Sequence, residues 1–124
     1  MPRFVVLEHE LPPQAERATH WDLMIEQGAA LATWALQRPP APDVAIAAEA
    51  LDDHRPSYLD YEGPISGDRG RVRRWDAGEC RVVSQSSERW VVEFVGSQLA
   101  GVATLESDAN RQNWTFSWSA ASRR

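Results

Sequence analysis

Two residues near the start of the chain, His20 and Asp22, have side chains that bind metal ions well and stand two positions apart. They belong to "THWDLMIE" (19–26), where apolar and polar residues alternate as they do in a β-strand. Residues two apart on a strand project from the same face, so the imidazole and the carboxylate can converge on one point. Such a pair suits a divalent metal such as manganese, iron or zinc. Two further histidines, His9 and His54, could complete the site if the fold brings them there.

The same pair also has an ordinary structural explanation. A single histidine is more often a surface or hydrogen-bonded residue than a metal ligand. His20 and Asp22 could simply face solvent, as the polar side of an alternating strand usually does. Met24 stands on that same side and argues against full exposure. The spacing alone therefore leaves both interpretations open.

Composition limits the class of protein. A chain of 124 residues suits one domain over 1–124, long enough to bury a core without disulfides. The net charge of −5 is not that of a protein that coats nucleic acid, although a local patch could still bind a nucleic-acid end. All 13 basic residues are arginine, which excludes Schiff-base and lysyl-nucleotide chemistry.

Cysteine use and targeting signals point to a cytoplasmic protein. The single cysteine, Cys80, excludes an internal disulfide and fits a reducing compartment. It lies in the strand-like "ECRVVS" with no partner histidine in view, so it is a poor candidate nucleophile. We find no signal peptide and no apolar run of transmembrane length, and we therefore expect a cytoplasmic location without membrane contact.

The elements that must position these residues are predicted to be mainly β-strands. Short strands separated by turns, at a spacing of about ten residues, favour a small barrel or a sandwich. Strands are predicted at 3–8, 19–26 and 30–36 and in five runs after 70, with turns at 27–28, 76–78 and 84–88. The stretch 43–53 fits a helix or a strand, and 53–70 is predicted to be a long loop of the kind that often carries function.

Several segments recur, in this order, in a known family. They are "FVVLEH", "HWDLMIE", "TWAL", "DDHRPSYLDYEGPI", "WDAGE", "VEFVGSQLAGVATL" and "NWTFSW". Over nearly all of residues 3–118 the chain resembles the 3′-phosphoesterase domain of bacterial DNA ligase D, as a stand-alone, divergent member. The resemblance implies a small closed or nearly closed β-barrel with short flanking helices or loops.

The resemblance also implies an activity. Members of this family are manganese-dependent enzymes that heal DNA 3′ ends in break repair by non-homologous end joining, removing a terminal ribonucleotide and then the 3′-phosphate. The implied partners are DNA or DNA/RNA 3′ ends. Because a chain without lysine cannot form the lysyl-nucleotide of a ligase, sealing and polymerisation would fall to separate proteins.

The resemblance assigns roles to residues by position. His9, His20 and Asp22 match the metal ligands. His54 and Tyr58 match the pair that binds the phosphate and assists its transfer, and Arg38 stands where the family has a phosphate-binding lysine. The chemistry is consistent, because a histidine can protonate a leaving oxygen and a tyrosine hydroxyl can donate to a phosphate oxygen.

Two differences from the family sequence are expected to weaken phosphate binding. Met24 replaces one family arginine and Ile46 corresponds to a second. We expect Met24 to line the same pocket as His20 and Asp22, natural activity to be weak, and Met24→Arg to raise it. Four arginines that follow the loop could compensate: Arg69, Arg71, Arg73 and Arg74.

Two other functions stay open at this point. The chain could be a catalytically degenerate module that binds metal or DNA ends, or a cupin-like iron oxygenase, whose triad is also His-x-Asp with a distant histidine. Against the oxygenase, only 31 residues separate Asp22 from His54, and no suitably placed arginine follows. The six tryptophans could include base-stacking platforms, but Trp21 and Trp34 occupy positions expected in a core.

Overall fold

Nine β-strands account for most of the fold. They are β1 (Arg3–Glu10), β2 (His20–Gln27), β3 (Ala30–Leu36), β4 (Ile46–His54), β5 (Gly63–Pro64), β6 (Arg71–Gln85), β7 (Arg89–Gly96), β8 (Ala100–Ser107) and β9 (Asn113–Ala120). The computed structural model describes residues 1–109 and 112–121. Within those ranges the one helical element is a 3₁₀ helix, Pro56–Leu59.

Eight of the strands form a closed antiparallel barrel. Their order around the barrel is β1, β2, β3, β4, β9, β8, β7 and β6, and β6 pairs back onto β1 to close the ring. The short β5 pairs with the start of β6. This confirms the predicted small β-barrel. None of the helical structure described is long and apolar enough to cross a membrane.

Apolar side chains from all eight barrel strands fill the interior. Alternation makes this possible, since in β9 every second side chain is buried. Trp34 packs edge-to-face on Trp90 and Trp114, with ring centroids 5.0 and 5.7 Å apart. Trp34 is thus a core residue, as its sequence position predicts, and Trp21 packs partly buried against the same core.

A second, smaller apolar cluster covers the outer wall of the barrel, and we call it the outer cluster. On β1, Val5 and Leu7 alternate with the interior residues Phe4 and Val6 and are fully buried too. The 53–70 segment supplies the cover. The members of the outer cluster are Val5, Leu7, Met24, Leu31, Leu59 and Val72, with Tyr58, Ile65 and Ala77 packed against them. The polar side of β2 therefore lies beneath protein rather than in solvent.

Most of the predicted strands and turns are present. Gly28 has a positive φ of 59° in the predicted turn between β2 and β3. The ambiguous stretch resolves as a strand, β4. The long loop is confirmed, with the short helix and β5 inside it, and the turn at 84–88 falls between β6 and β7.

The turn predicted at 76–78 is wrong, because β6 runs without interruption from Arg71 to Gln85. The carboxylate of Asp76 accepts the backbone N–H groups of Ser97, Gln98 and Leu99, so this aspartate caps the neighbouring hairpin instead of starting a turn. A Cβ atom on Gly78 would lie 2.4 Å from the carbonyl oxygen of Val95. The glycine therefore permits close strand contact rather than chain reversal.

Candidate metal centre and the adjoining cleft

His9, His20 and Asp22 lie together on the outer wall of the barrel, and we call them the His–Asp cluster. The pairing of β1 with β2 places His9 opposite His20 and Leu7 opposite Asp22. One potential ligand atom from each of the three residues lies within 4.8 Å of the others. Nδ1 of His9 is 3.4 Å from Oδ2 of Asp22, and Nε2 of His20 is 3.2 Å from Oδ1.

The His–Asp cluster is buried, which excludes the solvent-facing explanation. His20 is 6% and Asp22 3% exposed. Asp22 lies beside Leu7 of the outer cluster, and its Oδ1 is fully buried without a hydrogen-bond partner. Leaving a carboxylate oxygen buried and unpartnered is costly. Nε2 of His20 is the polar atom that the structure brings close to this oxygen, so the site is suited to a proton or a cation between the two atoms.

Backbone carbonyl groups fix the orientation of both imidazoles. Nδ1 of His20 lies 3.0 Å from the carbonyl oxygen of Ala18, and Nε2 of His9 lies 2.8 Å from that of Arg69. A carbonyl oxygen only accepts, so each of these nitrogens carries the hydrogen. In the neutral rings, the other nitrogen of each histidine then presents its lone pair toward the Asp22 carboxylate.

This arrangement fits a divalent metal. Two nitrogen lone pairs and a carboxylate that face one another repel unless a cation or a proton lies between them. Histidines that bind metals characteristically donate their second N–H to a backbone carbonyl or a carboxylate, as His9 and His20 do here. Imidazole and carboxylate donors are also a suitable set for a first-row transition metal.

When an imidazole of the His–Asp cluster is protonated, its charge and that of the Asp22 carboxylate stabilise one another. Contact with the Asp22 carboxylate raises the pKa of His9 above its usual value, although burial acts in the opposite direction. Burial acts to raise the pKa of Asp22, but the adjacent imidazoles of His20 and His9 outweigh it and hold that pKa below its usual value. The carboxylate therefore stays ionised and able to act as a ligand at neutral pH.

His54 and Tyr58 lie together in a separate cleft of about 570 Å³ under the 53–70 segment. Their rings meet edge-on with centroids 5.5 Å apart, and Nδ1 of His54 is 2.8 Å from the carbonyl oxygen of Asp52. Arg55, Ser66 and Arg69 also line the cleft. The structure thus brings together two of the residues predicted to bind phosphate. It also places the positively charged side chains of Arg55 and Arg69 in the same cleft, where they can bind an anion.

The cleft and the His–Asp cluster are neighbours on the same wall rather than one pocket. Asp22 pairs with Ala35 of β3, whereas His54 pairs with Leu31, which lies four residues before Ala35 on that strand. At strand geometry this is a separation of about 13 Å along β3. Arg69 connects the two, because it lines the cleft while its carbonyl oxygen accepts the hydrogen bond of His9.

The positions of the missing family arginines have become apolar. Met24 lies on the face predicted for it, but it is 1% exposed and packs in the outer cluster, so it does not line a pocket with His20 and Asp22 as expected. Ile46 is 1% exposed in the barrel interior and faces away from the site. Arg38 is exposed in the connection after β3 and does not line the cleft.

The arginines that follow the long loop differ in their surroundings. Arg73 is paired with Glu8 at 2.6 Å, and Arg74 lies 3.7 Å from Glu62, so each has a carboxylate close by. Arg71 is exposed and lies outside the cleft. Among the four arginines, Arg69 is the one that reaches the cleft.

Sequence reasoning missed the backbone contacts that complete the site. The carbonyl groups of Ala18 and Arg69 orient the histidines, and no residue type reveals a carbonyl contact in advance. Gly70 allows the second of these contacts, since a Cβ atom there would lie 1.9 Å from the carbonyl oxygen of Glu10. Gly70, next to the predicted functional loop, is the sequence feature that could have indicated this close backbone approach.

Cys80 has no place in this site. It is fully buried in the barrel interior, and burial raises the pKa of its thiol to about 11. A thiol in that environment is a poor nucleophile, as the sequence predicts.

Comparison with known proteins identifies the family. The model of the DNA ligase D 3′-phosphoesterase domain matches residues 13–116. The matched region contains His20, Asp22, His54 and Tyr58, while His9 precedes it and joins the site through the pairing of β1 with β2. No curated protein matches the chain significantly. With a barrel fold and a match that spans most of its length, the chain belongs to the family of DNA ligase D 3′-phosphoesterase domains.

Proposed function

We propose that this protein is a metal-dependent 3′-phosphoesterase that heals DNA 3′ ends in break repair, removing a 3′-phosphate or a terminal ribonucleotide. The observation that carries the proposal is the His–Asp cluster, in which two imidazoles held by backbone carbonyl groups face one buried carboxylate. Family membership gives the reaction class. Family membership favours this reaction class over the oxygenase alternative.

His9, His20 and Asp22 would hold the metal, with manganese as the preferred ion. A divalent metal bound there supplies neutralisation of phosphate charge and activation of water. The protein's own part is orientation: the carbonyl groups of Ala18 and Arg69 fix the rings, and burial strengthens the electrostatic interaction.

His54 and Tyr58 would act on the phosphate from the cleft. The Tyr58 hydroxyl donates to a non-bridging phosphate oxygen, which stabilises charge that develops during transfer. The His54 imidazole donates its Nδ1–H to the Asp52 carbonyl group, and the imidazolium form carries a second proton at Nε2 that it would give to the leaving oxygen. Arg38 would contact the phosphate or the adjoining strand from outside the cleft, where it is exposed.

The substrate would be the end of a DNA or DNA/RNA strand rather than the length of a duplex. The overall charge of −5 opposes broad binding to a polyanion. The cleft instead combines two arginines with His54 over a small area. Sealing would need a ligase active site outside this lysine-free sequence, and the repair would take place in the cytoplasm.

A second function, binding without efficient turnover, is favoured by one observation. The two positions where the family carries arginines hold Met24 in the outer cluster and Ile46 in the barrel interior. Neither can present a cation to the substrate. A module of this kind would bind metal or DNA ends without efficient turnover.

One assay separates the two functions. The purified protein is incubated with a primer–template that ends in a 3′-phosphate, with manganese added or chelated, and free phosphate and the new 3′-hydroxyl are measured. Manganese-dependent conversion with turnover supports the phosphoesterase. Manganese binding without conversion supports the binding module, and the Asp22→Asn variant is the control that should lose both.

A further inference from the structure

We propose that Arg69 binds the terminal phosphate in place of the arginines absent at positions 24 and 46. The inference rests on the proposed function, since it names the residue that holds the substrate of that reaction. It assigns two tasks to one residue. The carbonyl oxygen of Arg69 orients His9 of the His–Asp cluster, and its guanidinium lines the cleft of His54 and Tyr58.

The guanidinium of Arg69 is held in place without losing its charge. Its Nε donates to the carbonyl oxygen of Ser66 at 2.7 Å, and its Nη2 donates to the Ser66 hydroxyl at 3.2 Å. Both partners are neutral. An arginine has five N–H donors, so three stay available for an incoming anion. The side chain is thus oriented in advance, which lowers the entropic cost of binding.

Many of the other arginines in the described ranges are engaged by carboxylates, although Arg55, which also lines the cleft, forms no ion pair there. Six of them form ion pairs with acidic residues: Arg3, Arg17, Arg73, Arg74, Arg81 and Arg89. A paired guanidinium attracts a further anion less strongly, because the carboxylate already offsets its charge. In the described part of the chain, the Arg69 guanidinium contacts Ser66 and no carboxylate.

The acidic residues beside Arg69 in the cleft make its contact selective for a strand that ends in phosphate. Asp52 and Asp53 also line the cleft, so its two arginines do not create a general positive field. A phosphate binds there through directed contacts with Arg69, His54 and Tyr58. A terminal phosphate with two negative charges accepts strong charge-assisted hydrogen bonds from these side chains, whereas a strand that ends in a hydroxyl lacks that charge and forms weaker contacts.

The test compares Arg69→Gln and Arg69→Lys with the parent protein and with Arg81→Gln. The control removes the same charge from β6, outside the cleft. Fluorescence anisotropy in the presence of EDTA gives the affinity for a labelled primer–template that ends in 3′-phosphate or in 3′-hydroxyl. Manganese affinity is measured separately, and kcat and KM are measured with manganese added.

We expect Arg69→Gln to weaken binding of the 3′-phosphate end about 10- to 100-fold, the usual cost of one charge-assisted bidentate contact. Binding of the 3′-hydroxyl end should change little, KM should rise, and Arg69→Lys should recover part of the loss. Manganese affinity should stay near that of the parent, because the backbone carbonyl is still present. Arg81→Gln should behave as the parent.

Two results would overturn the inference in different ways. If the parent releases phosphate while Arg69→Gln keeps the parent's preference for the 3′-phosphate end, the phosphate is held elsewhere and the proposed function stands. If the parent neither distinguishes the two ends nor releases phosphate, the proposed function fails and this inference fails with it.

Discussion

The carbonyl oxygen of Arg69 lies 2.8 Å from Nε2 of His9, so the long segment after β4 orients a residue of the first strand. These two residues are 60 positions apart in the chain. The contact makes the geometry of the candidate metal centre depend on the path of a loop rather than on the barrel alone. Changes in the loop backbone should therefore alter metal binding.

The glycine after Arg69 tests this dependence. In Gly70→Ala the new Cβ would collide with the carbonyl oxygen of Glu10, and the φ of +82° is unfavourable for alanine. Displacing the loop breaks the Arg69–His9 contact, and we expect manganese affinity to fall about 10- to 100-fold. Gly28→Ala is the matched control, since Gly28 has φ +59° but open space around its Cβ. Equal manganese affinity in both variants would contradict the prediction.

Substitutions within the site should separate metal binding from turnover. Asp22→Asn and His20→Ala each remove a proposed ligand, so both should lose manganese binding, measured by electron paramagnetic resonance, along with activity. His54→Ala should keep manganese affinity and lower kcat about 100-fold or more, the usual contribution of a general acid. Equal loss of manganese affinity in all three variants would make His54 a ligand instead.

The burial of Met24 reverses the expected effect of Met24→Arg. A guanidinium at this position would lose its hydration among Val5, Leu7 and Leu31 without a matching partner. We expect a loss of unfolding free energy on the order of 3–5 kcal/mol, measured by urea denaturation, and no gain in kcat/KM. Met24→Leu conserves volume and should cost less than about 1.5 kcal/mol. A stable, more active Met24→Arg would show that the outer cluster opens toward the phosphate.

Cys80 should be inert in the folded protein. Burial raises the pKa of its thiol to about 11, so the thiolate is scarce at neutral pH. Iodoacetamide should modify it slowly at pH 8 under native conditions and rapidly in denaturant, as followed by mass spectrometry. Cys80→Ala should keep full phosphoesterase activity. Rapid native alkylation, or loss of activity in that variant with the fold intact, would contradict this assignment.

Asp76 should be one of the more important polar residues for stability. Its buried carboxylate accepts three backbone N–H groups at 2.7 to 3.1 Å. Removing it in Asp76→Ala leaves those donors unpaired, and we expect a loss of about 3 kcal/mol in unfolding free energy. Asp60→Ala, at an exposed pair with Arg3, should change stability by less than about 0.5 kcal/mol. A small effect at position 76 would mean that water replaces the carboxylate.

Local patterns in the sequence predicted those features that depend on alternation and turn chemistry. The alternation in 19–26 correctly places Leu23 and Ile25 in the core and His20 and Asp22 on the other face. It could not show that this other face is also covered, because the cover comes from the distant 53–70 segment. Whether both faces of a strand are buried depends on tertiary contacts, and the alternation within one strand cannot predict it.

The errors have the same origin. "DAG" at 76–78 has turn-forming residues, but Asp76 finds its partners in a hairpin some twenty residues away. Met24 shares a strand face with Asp22, yet the 3₁₀ helix brings Leu59 over it. In each case a long-range contact, absent from any local window, decides the environment of the side chain.

The residues with candidate chemistry stand on the outside of a barrel whose interior is an apolar core, and this has an evolutionary consequence. An exposed residue of the cleft such as Arg69 can be exchanged without leaving a cavity inside the barrel, so selection can adjust substrate binding while folding stability stays above its threshold. Lineages built on this scaffold are free to gain or lose catalytic efficiency in small steps. An interior position such as Ile46 has no such freedom, because substitutions there lower the free energy of unfolding.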